Sequence, residues 1–202
     1  MSKNALLLSG GIDSTALAYW KKPSIALTID YGQASRAGEI RAAAKIAKEL
    51  RIPHEIVRVD CAELGSGDLA SKPPHDAAPA SEWWPFRNQF LVTIAAMRSI
   101  ALGVDHLILG SVNSDAFHID GTREFYERID SLLAMQEGHI RVEVPAIHVT
   151  SVELVRMSGI TPALLGWTHS CHKGQYSCGF CRGCGKRRLV LSQLGYGDSQ
   201  AC

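Results

Sequence analysis

Apolar residues along this chain fall into two alternating rhythms. Short β-type apolar runs at 4–8, 24–29, 54–59, 105–109 and 140–144 predict five strands. Between them, apolar residues recur three and four apart and predict helices at 14–20, 35–50, 90–102 and 122–137. In the 35–50 segment Ile40, Ala43, Ala44, Ala47 and Leu50 share one side, the mark of an amphipathic helix. Gly103 and Gly138 stop two of the helices, and Pro145 ends the fifth strand. A short further helix opens at Thr150, with Glu153 spaced as a capping box and Gly159 at its C-terminus. Residues 61–85, which hold Pro73, Pro74, Pro79 and Pro85, read as a loop, as do 111–121. So long a connection inside a compact domain is usually functional or mobile. Strands separated by helices imply right-handed crossovers, so the expected fold is α/β, a doubly wound parallel five-stranded sheet.

Composition narrows the class. At 202 residues the chain suits one domain with a small appendage, an α/β unit over 1–165 and a C-terminal segment over 166–202. Formal net charge is +1 from 21 basic and 20 acidic side chains, so there is no global basic field for nucleic acid. No stretch approaches the roughly 18 apolar residues that span a bilayer. The apolar run at 5–8 is too short for a signal peptide and leads straight into glycines. Of six cysteines, four crowd between Cys171 and Cys184, unlike a disulfide framework. Cys61 and Cys202 read as free thiols of a reducing compartment, and the expected location is the cytoplasm.

Two motifs carry chemistry. Ser9-Gly10-Gly11-Ile12-Asp13-Ser14-Thr15 lies between the first strand and the first helix. Glycines there let backbone N–H groups approach a phosphate, the helix N-terminus adds positive potential, and Ser9, Ser14 and Thr15 offer hydroxyls. No Gly-Lys-Ser/Thr follows, so this is not a Walker loop. The second motif is Cys171-x6-Cys178-x2-Cys181-x2-Cys184. Four thiolates suit a tetrahedral structural zinc, although closely spaced cysteines also hold iron–sulfur clusters. His169 and His172 nearby read as solvated, Lys186, Arg187 and Arg188 as solvated charges of a helix, and Trp83 and Trp84 as anchors of the long loop.

The loop resembles that of the PP-loop ATP pyrophosphatases, which hold ATP's pyrophosphate on S-G-G-x-D-S and transfer AMP to a substrate oxygen. With the cysteine cluster, and with Asp30-Tyr31-Gly32-Gln33, Pro85-Phe86-Arg87-Asn88, Gly110 to Asp115, Asp120 and Glu124-Phe125, the chain from about residue 4 to 195 is similar to the 7-cyano-7-deazaguanine synthases. Phe86 stands where that family has glycine, and the segment 118–123 lacks its tyrosine, proline and cysteine.

The resemblance implies an adenine-nucleotide alpha-hydrolase-like fold and an ATP-dependent ligase acting on 7-carboxy-7-deazaguanine and ammonia. It implies ATP, Mg²⁺ and Zn²⁺ as cofactors, and a homodimer. Ser9, Gly10, Gly11, Asp13, Ser14, Thr15, Tyr31, Gly32 and Gln33 would bind the nucleotide. Asp13, Ser14 and Arg87 would serve the chemistry. Arg87, Asn88, Asp115 and Asp120 would bind the deazaguanine, and the four cysteines the zinc. Two alternatives are transfer of an adenylated deazaguanine carboxylate to an amine of a protein or other macromolecule, and a zinc-dependent nucleic-acid-binding module.

Overall fold

The computed structural model describes residues 3–196. Five strands, β1 (Asn4–Leu7), β2 (Ile25–Asp30), β3 (His54–Arg58), β4 (His106–Ile108) and β5 (Arg141–Glu143), form one sheet in the order β3-β2-β1-β4-β5. Every neighbouring pair is parallel, with Leu6 of β1 in register with Ala26 of β2 and Ile108 of β4. The helices are α1 (Ile12–Lys21), α2 (Arg36–Leu50), α3 (Gly67–Ala70), α4 (Arg87–Leu102), α5 (Arg123–Ala134), α6 (Ser151–Ser158), α7 (Pro162–Leu165) and α8 (Arg182–Gln193).

Strand residues alternate between two buried clusters. Leu6, Leu8, Ala26 and Ile108 join Leu17 of α1, Ile46 of α2, Leu154 of α6 and Val190 of α8. Ala5, Leu27 and Leu107 join Val92 of α4 and Ile129 of α5 in the second cluster. A sheet covered by helices on both faces buries both sets of side chains, which is why its strands read as apolar runs rather than as alternating patterns. From β1 the chain builds outward through β2 and β3 on one side and β4 and β5 on the other. In such a sheet the crevice at the carboxyl ends of the two diverging strands, here β1 and β4, is the place where ligands bind.

Several boundaries differ from the sequence-based expectation. Helix α1 begins at Ile12 because Gly11 is its N-cap, with φ −75° and ψ 169°, so Asp13 falls inside the first turn. Helix α4 begins at Arg87, three residues before the expected 90, and α5 ends at Ala134 instead of 137. The 61–85 connection contains a 3-10 turn at Ala62–Leu64 as well as α3. It is tied down by Trp84, 5% exposed, whose ring meets Tyr31 edge-on at 5.0 Å and 77°. The capping box at Thr150 and Glu153 forms as expected, with Thr150 Oγ1 accepting from the Glu153 N–H. Among the described residues no helix is long and apolar enough to cross a membrane. Cys202 lies outside the described residues.

Candidate active site

The chain leaves β1 at Leu7 and turns into α1 through Ser9, Gly10 and Gly11. Gly10 sits at φ 79°, and a Cβ there would lie 2.8 Å from the Ala42 Cβ and 2.9 Å from the Glu39 carbonyl oxygen. Only glycine lets α2 pack this closely against the turn. The Gly11 N–H donates to Ser9 Oγ at 3.3 Å, and Ser9 Oγ and Ser14 Oγ lie 3.1 Å apart. The opening of α1 thus points N–H groups and two hydroxyls at one spot, the arrangement an anion requires. At the end of β4, Gly110 backs onto the same turn; a Cβ there would be 3.1 Å from Ser14 Cα.

Over this turn lies a cavity of about 340 Å³, within the range of small-molecule sites. Ser9, Gly11, Asp13 and Ser14 line one end, and Tyr31, Arg87, Asn88, Asp115 and Tyr126 line it elsewhere. Asp13 is largely buried, and burial raises its pKa above the ordinary carboxylate range against the opposing pull of the Lys186 cation. Its Oδ2 accepts from Lys186 Nζ at 2.9 Å, while Oδ1 is buried with no hydrogen-bond partner among the described residues. Arg87 donates to its neighbour Asn88 at 3.3 and 3.4 Å and stands beside the Tyr31 hydroxyl and the Asp120 and Glu39 carboxylates, with no close ion pair among the described residues. Its planar fork lines the cavity, where it suits a carboxylate or phosphate. Glu39 accepts from Ser35 and Gln33, at 2.5 and 2.9 Å, and burial raises its pKa. Tyr126, pushed up to about 12 by burial, keeps its proton and shares a 2.6 Å hydrogen bond with Ser111.

Not every expected residue faces the cavity. Thr15 is fully buried, and its hydroxyl donates to the Gly11 carbonyl at 2.6 Å, tying the turn to the helix. Gln33 is also fully buried: its Oε1 accepts from the Tyr31 N–H at 3.0 Å and its amide donates to Glu39, so it shapes the bend after β2 with Gly32. Asp120 stands behind Asn88, accepting from the Asn88 N–H at 3.2 Å in the first turn of α4, while its carbonyl accepts from the Asn88 amide at 2.9 Å. Sequence reasoning missed Lys186, Glu39, Tyr126 and His118 as cavity residues. Lys186 is the clearest omission, since nothing local distinguishes it from its basic neighbours.

Phe86, which stands where the family has glycine, occupies a backbone position that favours glycine. It is the N-cap of α4 at φ 54°, in the left-handed region, and its side chain is 76% exposed. A glycine would fit this backbone without strain, and little apolar burial would be lost. Phe86→Gly should raise stability by about 1 kcal/mol, read as a higher denaturant midpoint; an unchanged or lower midpoint would contradict this.

The four cysteine sulfurs lie within 4.8 Å of one another, and Cys178 and Cys184 are 3.9 Å apart. Four thiolates about 2.3 Å from one ion in a tetrahedron are separated by about 3.8 Å. An iron–sulfur cluster, with several irons and sulfides between its ligands, would hold them further apart, so the arrangement fits a single zinc ion. Backbone N–H groups of Cys181, Cys184 and His172 point at these sulfurs, each at 3.4 Å, and favour thiolates. Cys181 is also the N-cap of α8. The histidines are not part of this cluster, and they are not solvated as expected: both are half-buried and line the cavity, with the His169 ring Nε2 3.0 Å from the Gly174 carbonyl oxygen. The backbone N–H of His169 donates to the Gly10 carbonyl at 2.8 Å, fixing the cysteine lobe to the turn.

The comparisons agree with this picture. A chain from Desulfitobacterium hafniense (strain Y51) named 7-cyano-7-deazaguanine synthase 1 is 33% identical over 206 residues, spanning 95% of this chain and 93% of its own. The 7-cyano-7-deazaguanine synthase of Pyrococcus horikoshii is 30% identical over 231 residues, spanning 99% and 96%. A crystal structure titled as a predicted subunit of tRNA methyltransferase from Methanocaldococcus jannaschii shares the fold, with a TM-score of 0.53 at 17% identity over 96% of this chain and 89% of that one. The family profile described as "Queuosine biosynthesis protein QueC" matches residues 3–195. With the phosphate-type turn at the sheet's switch point and a four-cysteine cluster beside it, the chain belongs to the queuosine biosynthesis protein QueC family.

Proposed function

We propose that this protein is a 7-cyano-7-deazaguanine synthase. It adenylates the carboxylate of 7-carboxy-7-deazaguanine with ATP, and ammonia displaces AMP to give the amide. A second adenylation, on the amide oxygen, and loss of AMP then leave the nitrile. The observation that carries this reading is that one cavity joins the Ser9 to Ser14 turn to the guanidinium of Arg87. Near-full-length relatives that bear the synthase name favour a free deazaguanine over a protein acceptor and over a nucleic-acid module.

In this reading the N–H groups and hydroxyls of Ser9, Gly11 and Ser14 hold the pyrophosphate, with Gly10 and Thr15 shaping the turn. Mg²⁺, when bound, would supply charge neutralisation at the phosphates, and the orphaned Oδ1 of Asp13 is the oxygen that fits it. Arg87 holds the substrate carboxylate in line with the α-phosphate, and Tyr31 closes the cavity wall. Asn88 and Asp115 face the deazaguanine edge, while Asp120 acts by positioning Asn88. No protein nucleophile is required. The clustered free thiols fit a reducing, cytoplasmic setting, and the assembly proposed is a homodimer.

The test is the nucleotide product. With 7-carboxy-7-deazaguanine and ammonium, ATP should yield AMP and pyrophosphate, because the turn lacks the Walker lysine that assists γ-phosphate transfer. Mainly ADP and phosphate would overturn the adenylation reading.

A further inference from the structure

The turn between β1 and α1 contains no cation: Ser9, Gly10, Gly11, Ile12, Asp13, Ser14 and Thr15 are its residues. Yet a lysine reaches it from the far end of the chain. Lys186 lies on α8, two residues after Cys184, and its Nζ is 2.9 Å from Asp13 Oδ2 and 3.1 Å from Asp115 Oδ1. The pair with Asp13 spans 173 residues of sequence. Two of the other basic groups lining the cavity are placed differently. Arg87 stands near Tyr31 and Asp120, and Arg187 donates through Nε to Thr168 Oγ1 at 3.1 Å.

Lys186 is not sealed off by its partners. Its side chain is 38% exposed, open to the cavity, while that of Asp13 is 15% exposed. A cation held between two carboxylates beside a helix N-terminus is stored where a polyphosphate would arrive. A Lys ammonium also has three donors, so it can meet a phosphate oxygen without giving up every existing contact. The same position explains why a zinc-type cluster borders a nucleotide cavity. Cys181 caps α8 and Cys184 lies in its first turn, so the four-cysteine site fixes the helix that presents the lysine.

We propose that Lys186 is a nucleotide phosphate-binding residue, delivered from a distant part of the same chain by the cysteine-anchored helix in place of a lysine in the turn itself. On binding, its Nζ exchanges one carboxylate contact for a phosphate oxygen of ATP. This rests on the nucleotide reading of the turn, and deepens it by naming a residue of the same site.

The test is calorimetric binding of the magnesium complex of AMPCPP, an ATP analogue whose α–β bridge resists cleavage. Lys186→Met keeps the stem and removes the charge, and should weaken AMPCPP roughly tenfold to a hundredfold. Lys186→Arg should restore most of that loss. Zinc content should stay at the wild-type value in both. A merely structural ion pair predicts the opposite split: a lower melting temperature for Lys186→Met with AMPCPP affinity unchanged, and that result would overturn the assignment while leaving the nucleotide site standing. A wild-type protein that fails to bind AMPCPP would overturn the nucleotide reading and this assignment together.

Discussion

Cys181→Ser should strip the bound metal and lower the melting temperature by on the order of 10 °C. Serine is a good N-cap, so the start of α8 keeps its local hydrogen bond and the effect isolates the missing thiolate. Three remaining thiolates hold zinc far more weakly, and binding there is coupled to the fold of the lobe. The consequences extend beyond the lobe. Helix α8 places Val190 in the main core and Lys186 against Asp13, and His169 ties the lobe to the Gly10 carbonyl. Metal analysis of the purified wild type should find about one zinc per chain. A wild type with neither zinc nor iron, or a Cys181→Ser variant with unchanged melting, would contradict the assignment.

Asp13→Asn should act in the opposite way, on turnover and not on stability. The side chain keeps its shape but loses the charge beside the phosphate turn, and turnover should fall about a hundredfold or more. Lys186 retains Asp115 at 3.1 Å and is partly solvated, so no isolated buried cation is left behind. Melting should stay within a few degrees of wild type.

The pH dependence has a definite sign. Burial raises the Asp13 pKa in the folded state, so the native protein binds this proton more tightly than the unfolded chain does. Its contribution is present at low pH and is lost as pH rises from the ordinary carboxylate range through the folded value. Asn cannot titrate. The melting temperature of Asp13→Asn minus that of wild type should therefore increase with pH across that acid window and then level off. A difference that shrinks as pH rises, or a variant with wild-type turnover, would contradict the role given to Asp13.

What the sequence disclosed was local. The strand-turn-helix with Ser9-Gly10-Gly11 was legible because a tight glycine turn and a helix start are written in consecutive residues. The cysteine cluster was legible for the same reason, since two-residue spacings bring sulfurs together without help from the rest of the fold. The parallel five-stranded sheet followed from the alternation of apolar runs and helices, while its strand order came only with the structure, and the starts of α1 and α4 moved by two and three residues. Thr15 was read as a phosphate donor, but four residues after Gly11 a helical hydroxyl meets its own carbonyl at 2.6 Å. Lys186 could not be found this way. Its meaning depends on α8 folding back across the sheet to Asp13, and its neighbours Arg187 and Arg188 carry the same charge without reaching the turn. Asp120 shows the converse: a carboxylate chosen from a family pattern lies one residue behind the cavity, holding Asn88.

The central claim is that this site turns a deazaguanine carboxylate into a nitrile through adenylates. The most direct measurement is mass spectrometry of the product formed from 7-carboxy-7-deazaguanine, ATP and nitrogen-15 ammonium. The account predicts 7-cyano-7-deazaguanine with the heavy nitrogen in its nitrile, and AMP released at both the amide and the nitrile steps. Unchanged substrate in the presence of ATP and ammonium, or a product carrying no label, would contradict it.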